Sequence, residues 1–179
     1  GDATYLKEYC SKNGAKALIF PMEEVEGKVV SSTLIRELIT EGQIATANRL
    51  LGQPFCFKTE VVHGKQLGRK LGFPTINQHF PTGFINLKHG VYASQATVDG
   101  VIYPSVTNFG CHPTIGGDKV LSETCILGFD GDLYNRKIPV ELLDFIRAEK
   151  KFNGKDELKA QIDKDSKSAI RIFDSKNTK

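Results

Sequence analysis

Residues 91–109 have the sequence VYASQATVDGVIYPSVTNF, in which two runs rich in β-branched and aromatic residues flank Asp99-Gly100. An Asp-Gly pair between two such runs is typical of a tight β-hairpin turn, because both residues accept positive φ angles. We therefore predict one strand over residues 91–98 and a second, antiparallel strand over residues 101–109.

More strands are predicted on both sides of this hairpin. In residues 55–62, the side chains of Phe55, Phe57, Thr59 and Val61 alternate with a more polar set, as in a half-buried strand. Residues 122–129 and 137–145 are predicted to pair with each other around Asp130-Gly131-Asp132. Five or six short strands without helices between them predict an antiparallel barrel or sandwich. A final amphipathic helix is predicted over residues 156–173.

The first part of the chain has a different pattern. Helical spacing of apolar residues predicts helices over residues 2–13, 34–40 and 44–51, and the apolar run at residues 17–20 predicts a buried parallel strand. One strand and three helices cannot close a core alone. We therefore expect the tail of a larger α/β domain, and the initial Gly also indicates a piece of a longer protein. The predicted division is 1–52, 53–174 and a frayed tail at 175–179.

Composition excludes several classes of protein. The 179 residues include 24 Lys and Arg against 21 Asp and Glu, an excess too small for the concentrated basic stripe of a nucleic-acid-binding protein. No apolar run approaches the roughly 20 residues that span a bilayer. The four cysteines are scattered without a C-x-x-C pair, which is typical of reduced thiols in the cytoplasm. We expect a cytoplasmic protein without nucleic-acid or membrane partners, and the oligomeric state stays open.

The segment richest in residues that could bind a ligand or take part in catalysis is GKQLGRKLGFPTIN at residues 64–77. Its glycines can bring backbone amides close to phosphate oxygens, and Arg69 and Lys70 add positive charge. The spacing matches neither a Walker A loop nor a G-x-G-x-x-G motif. On composition alone, an ordinary surface loop explains the segment better than a phosphate site.

Three oxygen-bearing side chains are candidates for the chemistry. Thr75 and Asn77 follow Pro74 and lie two apart on an extended chain, so they point to the same side. Such oxygens suit Mg²⁺, but they can equally satisfy turn hydrogen bonds. Glu123 begins an apolar strand, where a carboxylate is costly unless it is solvated, paired or used. It is either a general base or a polar strand end.

Several motifs, in order, resemble those of riboflavin kinases. Residues 68–77 match the family signature G-R-x-L-G-x-P-T-x-N, and the resemblance covers roughly residues 50–173. The later matching segments are GVYA at 90–93, SVTNFG at 105–110, ET at 123–124, FDGDLY at 129–134 and FIRAE at 145–149. Asn135 stands where the family commonly has Gly, and Asn tolerates the left-handed conformation.

The preceding part is similar to the adenylyltransferase module that bacteria fuse to this kinase. VSSTLIR at residues 30–36 resembles the S-S-T-x-I-R motif of that module, but its H-x-G-H motif is absent from this chain. The resemblance implies that Ser32 and Arg36 belong to an incomplete site. A longer parent protein would convert FMN to FAD, and this chain would not.

The resemblance implies a mainly β fold: a six-stranded antiparallel, Greek-key-like barrel with a C-terminal helix, after an α/β remnant of a nucleotidyltransferase domain. It implies ATP-dependent phosphorylation of the ribityl hydroxyl of riboflavin to FMN, with ATP, Mg²⁺ and flavin bound.

By motif, Thr75 and Asn77 contact Mg²⁺ and the phosphates, Glu123 accepts the hydroxyl proton, and Arg147 lies on a flap near flavin and phosphates. Arg147 also begins a charged cluster that could be only a solvated loop. The other implied binding residues are Gly64, Gly68, Arg69, Lys70, Gly72, Phe73, Pro74 and Asn108.

Two other classes of function remain as alternatives. A non-catalytic barrel that binds flavin or nucleotide would not need Glu123 together with Thr75 and Asn77. A single-stranded nucleic-acid barrel would need exposed aromatic residues on a basic face, and the absence of Trp with only 9% aromatic residues argues against it. The kinase interpretation requires that Glu123 face Thr75 and Asn77 across one cleft.

Overall fold

The computed structural model describes residues 2–25, 27–64, 67–70, 72–80, 84, 86–114 and 117–177, without the side chains of residues 67, 70, 111–114, 117–119 and 177. The chain divides into two compact units, Gly1–Ser31 and Ser32–Lys179. Among the described residues, no helix is both long enough and apolar enough to cross a membrane.

The first unit contains one helix and a minimal strand pair. Helix α1 spans Ala3–Lys12, as predicted, and strands β1 (Glu24–Val25) and β2 (Lys28–Val29) pair antiparallel. The predicted buried strand at residues 17–20 is wrong. These residues form no regular structure, and Leu18 and Phe20 are 70% and 80% exposed. A short apolar run becomes a buried strand only where neighbouring strands and helices cover it.

Two helices open the second unit. Helices α2 (Ser32–Thr40) and α3 (Ile44–Leu51) bury their apolar sides, and α3 ends at Gly52 in the left-handed conformation. The units divide after Ser31, earlier than the domain boundary drawn from the sequence. The assignment of residues 1–52 to the remnant of a nucleotidyltransferase domain therefore stays a prediction.

Six strands form a closed antiparallel barrel in the order β3-β4-β7-β6-β5-β8. Strands β5, β6 and β7 are successive neighbours, and β8 returns beside β5, which is a Greek key. The predicted fold class is confirmed. The elements are β3 Phe55–Val62, α4 Leu67–Lys70, β4 Thr75–His79, β5 Gly90–Val98, β6 Val101–Thr114, β7 Gly117–Ile126, β8 Lys137–Arg147 and α5 Lys155–Asn177.

The β5–β6 hairpin has the predicted turn, in which Asp99 and Gly100 have φ angles of 49° and 82°. The predicted pairing of residues 122–129 with 137–145 is wrong, because β7 lies between β4 and β6 whereas β8 lies between β3 and β5. Turn residues mark a change of direction and do not select the partner strand. The connection from β7 to β8 leads to β3 instead. Asn135 in this connection has a φ angle of 61°, and its backbone N–H donates to the Val61 carbonyl oxygen of β3 at 3.0 Å.

Helix α5 packs on the outside of the barrel. Its Ala169 is fully buried against a cluster that includes Val91, Ala93 and Leu143. The helix continues to Asn177, beyond the predicted end at residue 173, and the frayed tail at residues 175–179 stays a prediction. Lys176 Nζ donates to the Leu143 carbonyl oxygen at 2.8 Å, which holds the last turn on the barrel.

One amide side chain connects α3 to two strands. Asn48 Nδ2 donates to the Leu142 carbonyl oxygen at 2.8 Å, and Asn48 Oδ1 accepts from the Phe55 backbone N–H at 2.8 Å. Asn48 is buried, so neither bond is readily replaced by water.

We predict that Asn48→Ala lowers the free energy of unfolding by about 2–3 kcal/mol, because it removes the hydrogen bonds to Leu142 and to the partly buried Phe55 N–H. Urea denaturation followed by circular dichroism measures the change. Asn13→Ala, which removes an amide hydrogen bond on the exposed end of α1, is the control and should change stability by less than about 1 kcal/mol. Equal effects of the two substitutions would contradict the linking role of Asn48.

Candidate active site

Three polar side chains form a row across neighbouring strands. Glu123 on β7 lies directly opposite Asn77 on β4 and directly opposite Asn108 on β6. Side chains of directly opposite residues share a face of the sheet, with Cβ atoms about 4.5–5.5 Å apart. Thr75 lies two residues before Asn77 on the same face. The structure thus brings together Thr75, Asn77 and Glu123, residues from distant parts of the sequence.

This row lies on the outer surface of the barrel. The alternate residues of the same strands point inward, where Thr107 Oγ1 hydrogen bonds to Thr124 Oγ1 at 2.9 Å and to Ser94 Oγ at 2.8 Å. All three of these side chains are fully buried. Val106, two residues before Asn108, packs in the cluster beneath α5. The polar row therefore continues the outer face that α5 partly covers.

Asn77 carries an unused acceptor in a buried position. The residue is 6% exposed, and its Oδ1 has no hydrogen-bond partner among the described residues. Gly64 lies against it so closely that an added Cβ would come within 2.5–2.7 Å of the Asn77 amide atoms. A buried acceptor without a partner costs free energy that a bound donor or cation can recover. This oxygen, with the Thr75 hydroxyl and the Glu123 carboxylate nearby, fits a hard cation such as Mg²⁺.

A cavity of about 370 Å³ shares Thr75 with the row, whereas Asn77, Glu123 and Asn108 are not among its lining residues. One wall comes from the glycine-containing segment, through Arg69, Pro74 and Thr75. The segment turns back sharply at Gly68, whose carbonyl oxygen accepts from the Phe73 N–H at 2.9 Å. A side chain at Gly68 would overlap the Phe73 carbonyl oxygen.

Sequence reasoning assigned no site role to the opposite wall of the cavity. That wall contains the six consecutive residues 129–134, which matched the family motif FDGDLY. The ring of Tyr134 in this wall stacks on the ring of His63, with centroids 3.8 Å apart. The glycine-containing connection after β3 and the Asp- and Gly-containing connection after β7 were a usable signal in the sequence. Only the closed barrel places the two connections side by side.

Arg147 ends β8 at the other side of the outer face. It lies opposite Val91, which in turn lies opposite Asn108. Its Nη2 and Nε donate to Asp165 Oδ2 of α5 at 2.8 and 3.1 Å, and the Asp165 side chain is only 4% exposed. Such a forked pair fixes the guanidinium plane.

Of the remaining predicted residues, Lys70 has a side chain outside the described set, and Gly72 adopts a positive φ of 86°.

The fold is a Greek-key barrel that carries a row of oxygen-bearing side chains on its outer face. A family model described as riboflavin kinase (Flavokinase) matches residues 51–173. The chain belongs to the riboflavin kinase family.

Curated relatives carry the name bifunctional riboflavin kinase/FMN adenylyltransferase. The protein from Bacillus subtilis (strain 168) is 40% identical over 151 residues, which are 83% of this chain and 48% of that protein. The protein from Escherichia coli (strain K12) is 41% identical over 150 residues, again 83% and 48%. The Listeria monocytogenes protein is 35% identical over 174 residues, 97% and 55%. The chain thus spans about half the length of these relatives.

A solved structure is also similar. The crystal structure of a Streptococcus pneumoniae protein described as a macrolide-efflux protein superposes with a TM-score of 0.83 at 31% identity. The match covers 95% of this chain and 55% of that one.

We predict that Cys125, directly opposite Thr75, reacts very slowly with iodoacetamide at pH 8. Burial raises the pKa of its thiol to about 11, so the group is protonated below that pH and reactive only as pH approaches it. Peptide mass mapping should show alkylation of Cys125 about a hundredfold faster after denaturation in urea. Equal rates in the folded and denatured chain would contradict the burial of this thiol.

Proposed function

We propose that this chain transfers the γ-phosphoryl group of ATP to the terminal ribityl hydroxyl of riboflavin and forms FMN. The observation that carries the proposal is the direct cross-strand pairing of Glu123 with Asn77 and Asn108, next to the cavity. Phosphoryl transfer mainly requires alignment of the reactants and neutralisation of phosphate charge. The row provides a proton acceptor and two amide side chains within one small surface.

Glu123 is the proposed general base. Its carboxylate accepts the proton of the ribityl hydroxyl as the hydroxyl oxygen attacks the γ-phosphorus. A positioned base of this kind contributes about 10²- to 10⁴-fold to the rate. Asn108, directly opposite Glu123 on the neighbouring strand, is the proposed contact for the ribityl chain.

Thr75 and Asn77 are the proposed Mg²⁺ and phosphate contacts. The buried Asn77 Oδ1, which has no hydrogen-bond partner within the described part of the chain, supports this role, because a bound cation would satisfy it. Mg²⁺, when bound, supplies neutralisation of the charge on the nucleotide phosphates. The cavity, at about 370 Å³, falls within the usual size range of small-molecule sites.

The loop at residues 64–72 is the proposed nucleotide cover. Arg69 contributes a cation to the cavity wall, and Lys70 follows it in sequence. The remaining proposed contacts are the backbone of Gly64, Gly68 and Gly72 with Phe73 and Pro74.

Arg147 is the proposed contact on the flavin side. Asp165 holds its guanidinium in one orientation, and an Arg so held loses less conformational freedom when a ligand binds.

We also propose a cytoplasmic location, with which the free thiols of Cys10, Cys56 and Cys125 are compatible. The FMN adenylyltransferase step belongs, in this proposal, to a longer protein that contains this chain.

Incubation of the chain with riboflavin, ATP and MgCl₂, followed by chromatography, tests the proposal. FMN should form, and its formation should depend on Mg²⁺. Riboflavin binding without FMN formation would instead support a non-catalytic flavin-binding barrel.

Glu123→Gln should lower the rate of FMN formation by about 10²- to 10⁴-fold, because the amide cannot accept the proton. Riboflavin affinity should change little, since the side chain keeps its shape. The control is Glu60→Gln, which removes an exposed carboxylate from β3 and should retain the wild-type rate. A Glu123→Gln variant with wild-type turnover would remove Glu123 from the proposed role.

Gly64→Ala should reduce the use of Mg²⁺ and ATP without unfolding the chain. The added methyl group would lie 2.5–2.7 Å from the Asn77 amide atoms, so it displaces the Asn77 side chain from its position. We expect at least a tenfold rise in the KM for ATP (about 1.4 kcal/mol of lost binding). Gly154→Ala is the matched control, because its Cβ would enter open space. Equal KM values in both variants would argue against a contact between Asn77 and the nucleotide.

A further inference from the structure

Glu149 lies two residues beyond the end of β8, yet its carboxylate rests on β6. Its Oε1 accepts a hydrogen bond from Asn108 Nδ2 at 3.3 Å. A Cβ added to Gly110 would lie 2.5 Å from the same Oε1, so the carboxylate fills the space of a side chain at position 110. Arg147, two residues earlier, is fixed to α5 through Asp165. The segment therefore runs across the outer face from the helix to the barrel.

This placement brings a second carboxylate close to the row of polar side chains. Asn108 is the direct cross-strand partner of Glu123, and Gly110 is the diagonal neighbour of Glu123 on the same face. Diagonal neighbours in an antiparallel pair are about 7–8 Å apart. Glu149 and Glu123 thus flank Asn108, and Glu149 is exposed to solvent.

The two flavins of the proposed reaction differ in charge at the atom that reaches this row. The ribityl chain of riboflavin ends in a neutral hydroxyl, whereas that of FMN ends in a phosphate monoester with a charge of about −1.5 to −2 at neutral pH. A negative carboxylate close to the terminal oxygen disfavours the phosphorylated flavin and has little effect on the neutral one.

We propose that Glu149 is a specificity-determining residue, which favours riboflavin over FMN and promotes release of the product. This inference rests on the proposed function, because it requires the ribityl terminus to lie near Glu123. Its physical basis is charge repulsion, and it needs no contact between Glu149 and riboflavin.

The alternative is that Glu149 only anchors its segment to β6. Glu149→Gln separates the two, because the amide oxygen still accepts from Asn108 Nδ2 while the charge is lost. Glu149→Asp keeps the charge. Glu8→Gln on α1 is the control for a change in net charge, because Glu8 is exposed in the other unit.

The experiment is a titration of riboflavin and FMN, by flavin fluorescence, into the wild-type chain and these three variants. At low ionic strength, Glu149→Gln should tighten FMN binding by roughly three- to tenfold, and should change riboflavin binding by less than about twofold. Near 1 M salt the gain should largely disappear, since the screening length falls to about 3 Å. Glu149→Asp and Glu8→Gln should keep the wild-type ratio of the two affinities.

An unchanged ratio in Glu149→Gln, or a changed ratio that persists in high salt, would overturn the inference. If the wild-type chain phosphorylates riboflavin while the ratio is unchanged, only the role of Glu149 fails. A wild-type chain that binds neither flavin overturns both this inference and the proposed function.

Discussion

The register of β7 against its two neighbours is the constraint on which the site depends. Because side chains alternate along a strand, a slip of one residue would turn Glu123 into the barrel and Thr124 out of it. The polar interior opposes such a slip. Thr124 hydrogen bonds to Thr107, and Gln78 Nε2 donates to carbonyl oxygens of β3 and β8 at 2.7 and 2.8 Å. Buried hydrogen bonds inside the barrel thus fix which residues lie on its outer face.

The site combines side chains on barrel strands with residues from the connections between strands. Asn77 is held on β4, and the close approach of Gly64 removes it from water and leaves its Oδ1 without a partner among the described residues. Such an arrangement gives up some stability of the ligand-free chain and recovers it when a ligand binds. The glycines are needed here because a side chain would occupy the space next to the site.

Charge on the outer face is distributed between the barrel and α5. The buried Asp165 neutralises and orients Arg147, whereas Glu149 remains exposed next to Asn108. A buried ion pair between a helix and a strand does little for net stability, but it gives the pair one geometry. The face therefore presents a fixed cation and an acidic group near the Asn108 end of the polar row.

The sequence by itself determined the local features: the Asp99-Gly100 hairpin, the alternation along β3, the end of α3 at Gly52 and the residue types of the site. These depend on backbone preference and side-chain period, which short segments carry. Strand partners, the two walls of the cavity and the contact of Glu149 with Asn108 were decided only by barrel closure. They join residues far apart in the chain, and no local preference specifies such pairings. The apolar run at 17–20 shows the same limit, because its exposure depends on what surrounds it.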